Sequence, residues 1–263
     1  MRNNTSGRNL IRLLSLIFLV FILFFSCSSN AVEPVAYRAA YGDKNIPLLL
    51  LTDLNSELAG FAASLTDEGW LISRMTQESF LNADEYSDLS EYGAVIVYIH
   101  QPLHTLVEEA LISYTESGGK LLALHHSAAS AKIENPAWLK FLGMSILPGD
   151  RMHPWKVSSS TVHTMVNLAP GHYLTSHKVE YDRKIPFSCA TRPDLEGVYP
   201  AFDLADTEIF HNQLLQKDDD RVLLFGCRSQ ESEDGIPVME ASSGWYKAAG
   251  KGWLFYFQPG GDH

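Results

Sequence analysis

The first half of the chain alternates short apolar runs with segments in which apolar residues recur every three or four positions. Apolar runs bounded by turn residues are typical of buried parallel strands, and the longer period is typical of amphipathic helices. The pattern predicts strands at residues 46–52, 70–75, 92–99 and 121–124, with helices at 56–68 and 104–117. This alternation favours an α/β fold, a parallel sheet sandwiched by helices.

The second half has a less regular pattern. Residues 156–166 alternate polar and apolar positions, as an antiparallel or edge strand does, and residues 221–225 and 252–257 form further apolar runs. Loops rich in Pro, Asp and His separate these segments. We therefore predict one domain over residues 46–263, with extra antiparallel strands in its second half.

The N-terminal segment has the pattern of a secretory signal. Three Arg residues precede an apolar stretch at residues 13–25, and small residues follow it. We interpret residues 1–27 as a signal peptide. Residues 28–45 are small and polar, which is typical of a flexible tether.

Cys27 is a candidate site of lipidation. Ser26 directly before it resembles the lipobox of bacterial lipoproteins, in which the Cys becomes the lipid-modified first residue of the mature chain. Cleavage after Ala31 and an uncleaved anchor are the alternatives, although the apolar stretch is shorter than the roughly 20 residues of a membrane span. All three interpretations predict export, and the first predicts a protein anchored by lipid to a bacterial membrane.

Charge and motifs exclude several classes of function. The formal net charge is −11, and the predicted signal contains Arg but no acidic residue, so the remainder is more acidic still. Such a surface disfavours nucleic acid and anionic lipid as partners, and it suits a small neutral or cationic ligand. No glycine-rich nucleotide motif, Gly-x-Ser-x-Gly elbow or His-Glu-x-x-His motif is present, so we predict no nucleotide cofactor.

Cys189 and Cys227 could form a disulfide or remain free thiols.

A pair of histidines ends one of the predicted strands. After Gly118 and Gly119 the chain continues Lys-Leu-Leu-Ala-Leu and then changes abruptly to His125, His126 and Ser127. Parallel sheets of α/β proteins bind their ligands at the carboxyl ends of the strands. The sequence therefore predicts a functional site at His125 and His126.

The same segment begins a series of motifs that resembles the ThuA-like (trehalose utilisation) family. That family has a flavodoxin-like fold similar to the class I glutamine amidotransferase domain. The matching segments occur in order along residues 46–263, and they are residues 118–126, Met152-His153-Pro154, residues 171–175, Thr207-Glu208-Ile209-Phe210, residues 237–256 and Gly261-Asp262-His263.

The resemblance implies a protein that processes a sugar or sugar derivative at the strand ends. In class I amidotransferases the strand end that corresponds to residues 124–127 carries a cysteine nucleophile, and here His, His and Ser occupy it. Glutamine hydrolysis through a thioester is therefore excluded. The resemblance implies that His125, His126 and Glu208 are catalytic residues. The candidate substrate-binding residues, which we expect to lie in loops around them, are His153, Trp155, His172, His211 and His263.

The chemistry of this site has three interpretations. His and Glu can act as an acid/base pair, or His125, His153 and Glu208 can hold a divalent metal in a hydrolase. In the third, the protein is a carbohydrate-binding accessory lipoprotein without catalysis. Trp155 and Trp245 could form an aromatic floor for a sugar or pack in the core, and Glu208 could be a structural ion-pair residue.

Overall fold

The computed structural model describes residues 44–82, 88–147, 157–158, 162–177, 179–217, 220–229 and 238–260. A ten-stranded sheet and two small two-stranded sheets run through these residues. The strands are β1 (Leu48–Thr52), β2 (Ile72–Thr76), β3 (Ala94–Tyr98), β4 (Lys120–Leu124), β5 (Met144–Ile146), β6 (Val157–Ser158), β7 (Val162–Asn167), β8 (Arg183–Cys189), β9 (Arg192–Ala205), β10 (Ile209–Phe210), β11 (Gln213–Leu215), β12 (Val222–Ser229), β13 (Val238–Ala249) and β14 (Gly252–Phe257).

One half of the large sheet is parallel. Its strands lie in the order β2-β1-β3-β4-β14, and every neighbouring pair among them is parallel. This is the flavodoxin-like order, with the last strand of the chain in the fifth position. The α/β fold predicted from the apolar runs is confirmed.

The other half of the large sheet is antiparallel. The strands β13, β12, β7, β9 and β8 continue outward from β14, and each pairs antiparallel with its neighbour. The extra antiparallel strands predicted for the second half are therefore present. The strands β8, β9 and β13 were not predicted, because Pro lies within β8, Pro and Gly lie within β9, and small and polar residues occupy the centre of β13.

Helices cover both faces of the sheet. They are α1 (Ala59–Asp67), α2 (Gln77–Leu81), α3 (Thr105–Glu116), α4 (Pro136–Leu142) and α5 (Tyr173–Ser176). Leu48 and Leu50 of β1 face the core beneath α1, whereas Leu49 and Leu51 face the core beneath α3 and α4. A central strand buried on both faces needs apolar residues at every position, which explains the continuous run in β1.

Two predicted elements differ from the observed ones. Helix α1 begins at Ala59 rather than at residue 56, because Leu58 has a left-handed backbone and Glu57 folds back to accept hydrogen bonds from the N–H groups of Asp53 and Leu54. The single strand predicted at residues 156–166 is two strands, β6 and β7. They belong to different sheets, since β6 pairs with β10 and β7 with β12 and β9.

Other predictions concern residues beyond this part of the chain. The signal peptide, Cys27 and the tether up to residue 43 lie outside the described residues. Among the described helices, none combines the length and the apolar character needed to cross a bilayer. Cys189 and Cys227 are both buried free thiols, so they do not form a disulfide.

A buried lysine closes the carboxyl end of β3. Lys132 is fully buried, and its Nζ donates hydrogen bonds to the carbonyl oxygens of Ile99 at 2.9 Å, His100 at 3.3 Å and Gln101 at 2.6 Å. These carbonyls follow the last residue of β3, where no sheet partner satisfies them in the strand ladder. Lys132 therefore fixes the backbone that carries His100.

Replacement of Lys132 by Met is expected to destabilise the fold. Met has a similar length but leaves buried carbonyl oxygens without a donor, which costs about 3 kcal/mol. Urea unfolding measures the loss, and the exposed Lys140→Met on α4 is the matched control, with an expected change within about 0.5 kcal/mol. Equal stability of the two variants would show that Lys132 does not hold this strand end.

Candidate functional site

The turn after β4 presents two histidines in a strained conformation. His125 begins a short 3₁₀ helix, His125–Ala128, and has a φ of 46°, in the left-handed region that non-glycine residues rarely occupy. Such a conformation costs about 1 to 3 kcal/mol and concentrates at functional sites. The chain adopts it because the His125 ring is then directed into the protein, where it is fully buried.

The His125 ring is held by the end of β14. Its Nδ1 lies 2.8 Å from the carbonyl oxygen of Gln258. A carbonyl oxygen can only accept, so Nδ1 is the donor. Gly260 packs directly against the ring, so closely that a Cβ at this position would overlap it. The ring also stacks on Phe210 with a centroid separation of 5.0 Å.

Glu208 approaches the two histidines from the other side of the site. Its N–H donates to the carbonyl oxygen of Gly260 at 2.6 Å, and the neighbouring Thr207 Oγ1 donates to the same oxygen at 2.5 Å. The Glu208 Oε2 atom lies 3.5 Å from Nε2 of His125 and 3.5 Å from Nε2 of His126. The structure thus brings together the three residues predicted to be catalytic, and we call them the His125 cluster.

The electrostatics of the cluster favour a neutral His126 and an ionised Glu208. The imidazoles of His125 and then His126 hold the pKa of Glu208 well below its usual range. Burial lowers the pKa of His126 to about 4, although its interaction with Glu208 acts in the opposite direction. At neutral pH His126 is therefore a base and Glu208 an anion.

A second polar group, which was not predicted, lies at the ends of β1 and β3. His100 Nδ1 lies 3.3 Å from Glu57 Oε1 and 3.5 Å from Asp53 Oδ2. Asp53 Oδ2 also accepts hydrogen bonds from the backbone N–H groups of His100 at 2.5 Å and Gln101 at 3.2 Å. Burial raises the pKa of Asp53, but these interactions with His100 outweigh it and leave the pKa lowered. We call Asp53, Glu57 and His100 the acidic triad.

The two groups are in contact through the rings of His100 and His126. The rings of His100 and His126 are 4.1 Å apart between centroids, and those of His126 and His125 are 4.2 Å apart. A cleft of about 930 Å³ opens on the acidic triad, and its polar lining includes Gln77, Glu78, Gln101 and His104. The sequence contained a signal for this triad, because Asp53 and His100 each end a predicted strand that neighbours the other in the sheet.

The other predicted site residues lie elsewhere or outside the described residues. His172 begins helix α5, where Nδ1 accepts from the N–H of Leu174, and its Nε2 donates to the Tyr246 hydroxyl at 3.1 Å. His211 Nδ1 lies 3.2 Å from Glu240 Oε1 and lines another cavity, of about 630 Å³. Roles of these two in substrate binding remain predictions, as do those of the residues outside the described part: His153, Trp155 and His263.

Trp245 does not form an aromatic floor. It is fully buried on β13, where its ring packs 5.5 Å from Tyr256 and beneath the Arg221 guanidinium at 4.4 Å. The alternative of core packing is therefore the correct one for this residue. Ser127 is also structural, because its hydroxyl donates to the Val97 carbonyl oxygen at 2.7 Å.

Both groups contain donor atoms of the kinds that bind metals. The ligand atoms of the His125 cluster lie within 4.8 Å of one another, and so do those of the acidic triad. The metal set predicted from sequence included His153, which lies outside the described residues. In the described part of the chain, His126 occupies the place beside His125 and Glu208.

The sheet order and the site at its strand ends define a class I glutamine amidotransferase-like α/β fold. Solved structures of ThuA-like proteins are similar to it. A ThuA-like protein from Bacteroides uniformis is 16% identical with a TM-score of 0.51, and covers 89% of this chain and 86% of its own. One from Parabacteroides merdae is 11% identical with a TM-score of 0.53, and covers 81% and 78%. The predicted resemblance to ThuA-like proteins is confirmed at the level of the fold.

No protein-family model matches the sequence, and no curated protein matches it.

Acidification is expected to destabilise the folded protein between pH 6.5 and 4. The unfolded chain protonates His126 near 6.5, whereas the folded protein does so only near 4, so the unfolded state binds more protons in this window. After allowance for the partly exposed ring, the free energy of unfolding falls by about 2 kcal/mol across this window. Glu208 adds to it below pH 4.5, since its folded pKa is lowered.

Urea unfolding at pH 7, 5.5 and 4, with a chelator present, measures this dependence. In His126→Gln the free energy of unfolding should vary less with pH between 6.5 and 4.5. In His177→Gln, which lies outside both groups, the pH dependence should be that of the wild type. Identical profiles for the two variants would contradict the assignment to His126.

Gly260→Ala is expected to displace the His125 ring. The added Cβ overlaps the imidazole, whereas a Cβ at Gly171 meets nothing within 4 Å. Overpacking of this kind costs about 1 to 3 kcal/mol, and Gly171→Ala is the control. In a His125→Ala background the cost of Gly260→Ala should largely disappear, because the overlapping ring is gone. If Gly260→Ala destabilises the His125→Ala protein as much as the wild type, the overlap with the His125 ring is not the cause of the destabilisation.

Proposed function

We propose that this protein is an enzyme that hydrolyses a sugar or sugar derivative at the His125 cluster. The convergence of two imidazole Nε2 atoms on one Glu208 oxygen, each at 3.5 Å, is the observation that carries the proposal. A structural ion pair would not need two neighbouring histidines and a strained backbone at the ligand-binding edge of the sheet. No cysteine lies in the cluster, which agrees with the exclusion of amidotransferase chemistry.

The substrate class follows from the cleft and the charge. The described lining of the 930 Å³ cleft presents carboxylates, amides and imidazoles, which can exchange hydrogen bonds with sugar hydroxyl groups. The chain has a net charge of −11, which disfavours anionic substrates such as sugar phosphates. The similarity to ThuA-like structures supports a substrate from sugar utilisation.

The two groups have different roles in the proposed reaction. Glu208 accepts a hydrogen bond from the reacting water and orients it. His100 accepts the proton of this water and returns it to the sugar oxygen that leaves, since Glu57 and Asp53 hold the other proton on Nδ1 and leave Nε2 as the basic atom. A carboxylate that fixes the tautomer of a histidine and stabilises its protonated form has this role in other hydrolases.

The location of the reaction is part of the same proposal. The signal pattern of residues 1–27 and the Ser26-Cys27 pair support an exported protein held to the cell envelope by lipid at Cys27. The described domain would then meet its substrate outside the cytoplasm.

The test is an activity screen with matched variants. Trehalose, maltose and sucrose, singly oxidised derivatives of each, and glucose 6-phosphate as an anionic comparison are incubated with the full chain, and products are followed by NMR. We expect turnover of a neutral compound. Glu208→Gln and His100→Gln should each lower kcat by about 10²- to 10⁴-fold, the range for loss of acid/base groups.

Glu109→Gln and His177→Gln are the controls, because Glu109 is exposed on α3 and His177 stacks on Tyr173 outside both groups. Binding of a sugar without any product, with an affinity unchanged in Glu208→Gln, would indicate the carbohydrate-binding alternative. Turnover that survives both site variants would exclude this cluster as the catalytic centre.

A further inference from the structure

We infer that Nε2 of His125, Nε2 of His126 and a carboxylate oxygen of Glu208 form a binding site for one divalent transition-metal ion of the zinc type. The inference deepens the proposed function, because it gives the same cluster a cofactor. It replaces the His153-containing set considered from sequence with three residues whose geometry is defined.

The distances from Glu208 to the two imidazoles fit ligands of one ion better than partners in hydrogen bonds. N–H···O hydrogen bonds are about 2.7 to 3.2 Å long, and those to a carboxylate are at the short end. Both imidazole nitrogens are 3.5 Å from Glu208 Oε2. Ligands about 2.0 to 2.2 Å from a tetrahedral ion are roughly 3.3 to 3.5 Å from each other.

The tautomer of His125 supplies a second argument. Because Nδ1 donates to the Gln258 carbonyl oxygen at 2.8 Å, the neutral ring has its lone pair on Nε2, the atom that faces Glu208. A lone pair and a carboxylate oxygen repel each other unless a positive charge lies between them. Metal-binding histidines characteristically donate their other N–H to a carbonyl or carboxylate, which is the arrangement at Gln258.

The composition of the cluster suits a divalent ion. The buried His125 ring and the partly exposed His126 ring supply two imidazole nitrogens, and the Glu208 carboxylate balances part of the charge of the ion. Two His and one Glu with an open fourth position is also the ligand set of several catalytic zinc sites.

The acidic triad meets the distance requirement but is a weaker candidate. Asp53 Oδ2, the atom nearest to His100 Nδ1, already accepts two backbone N–H groups. Glu57 Oε2 likewise accepts the N–H groups of Asp53 and Leu54. These hydrogen bonds explain the triad without an ion, so we assign one metal ion, to the His125 cluster.

Metal binding is measured directly, without a substrate. The full chain is stripped with a chelator, dialysed and titrated with Zn²⁺ in a calorimeter, and metal content is determined by inductively coupled plasma mass spectrometry. We expect one equivalent in the wild type. Co²⁺ in place of Zn²⁺ should give the intense visible absorption of a four-coordinate site.

The variants separate ligands from neighbours. His126→Gln and Glu208→Gln should weaken Zn²⁺ binding about 100-fold or more, since the loss of an outer partner alone costs 10- to 100-fold. His100→Gln, Glu109→Gln and His177→Gln should retain one equivalent. Circular dichroism establishes that each variant is folded, and His126→Gln leaves the buried His125 ring in place.

The outcomes distinguish this inference from the proposed function. One equivalent of metal without any sugar turnover would sustain the metal site and count against the enzyme. Sugar turnover by protein that binds no Zn²⁺ or Co²⁺ would overturn the metal site and leave acid/base chemistry. Equal metal binding by the wild type, His126→Gln and Glu208→Gln would also overturn it, because the metal would then lie elsewhere.

Discussion

The site depends on the hydrogen bond between the His125 ring and the backbone of Gln258. This bond joins the ends of β4 and β14, which are neighbours in the sheet although they are 133 residues apart in sequence. It fixes the tautomer and the orientation of His125. The same end of β14 continues to Gly260, whose carbonyl oxygen accepts from the N–H of Glu208, so one short segment positions both His125 and Glu208.

A buried amide network keeps this segment in position. The Gln258 side chain donates to the Phe210 carbonyl oxygen at 3.0 Å and to Gln213 Oε1 at 2.8 Å. Gln213 in turn donates to the Tyr256 hydroxyl, which donates to the His125 carbonyl oxygen. A network whose members all have partners specifies one geometry, whereas an apolar core would tolerate several. The strained backbone of His125 therefore persists because its surroundings are fixed on several sides.

The sequence predicts the parallel half of this fold well and the site only in part. Three buried strands, β1, β3 and β4, were evident because nearly every position in them is apolar, and the His125-His126 pair was evident because it follows β4. Glu208 was found through a motif rather than through any pattern of its own. The acidic triad was missed, because the contact of His100 with Asp53 depends on β1 and β3 being adjacent, which local periodicity does not show. Strands β8 and β9 were missed because they contain Pro186, Pro193, Gly197 and Pro200, residues that are typical of turns.

The two polar groups are neighbours, and we propose that each has a different role in the reaction. His126 touches both, with its ring 4.1 Å from that of His100 and its Nε2 3.5 Å from Glu208. The acidic triad is satisfied by backbone N–H groups and faces the cleft, so it can orient a proton acceptor without an added ion. The His125 cluster has two imidazole nitrogens directed at one carboxylate, the arrangement that we propose holds a divalent ion. In the proposed reaction, the metal ion follows β4 and the base follows β3, so two adjacent strands of the sheet supply the groups that act on water.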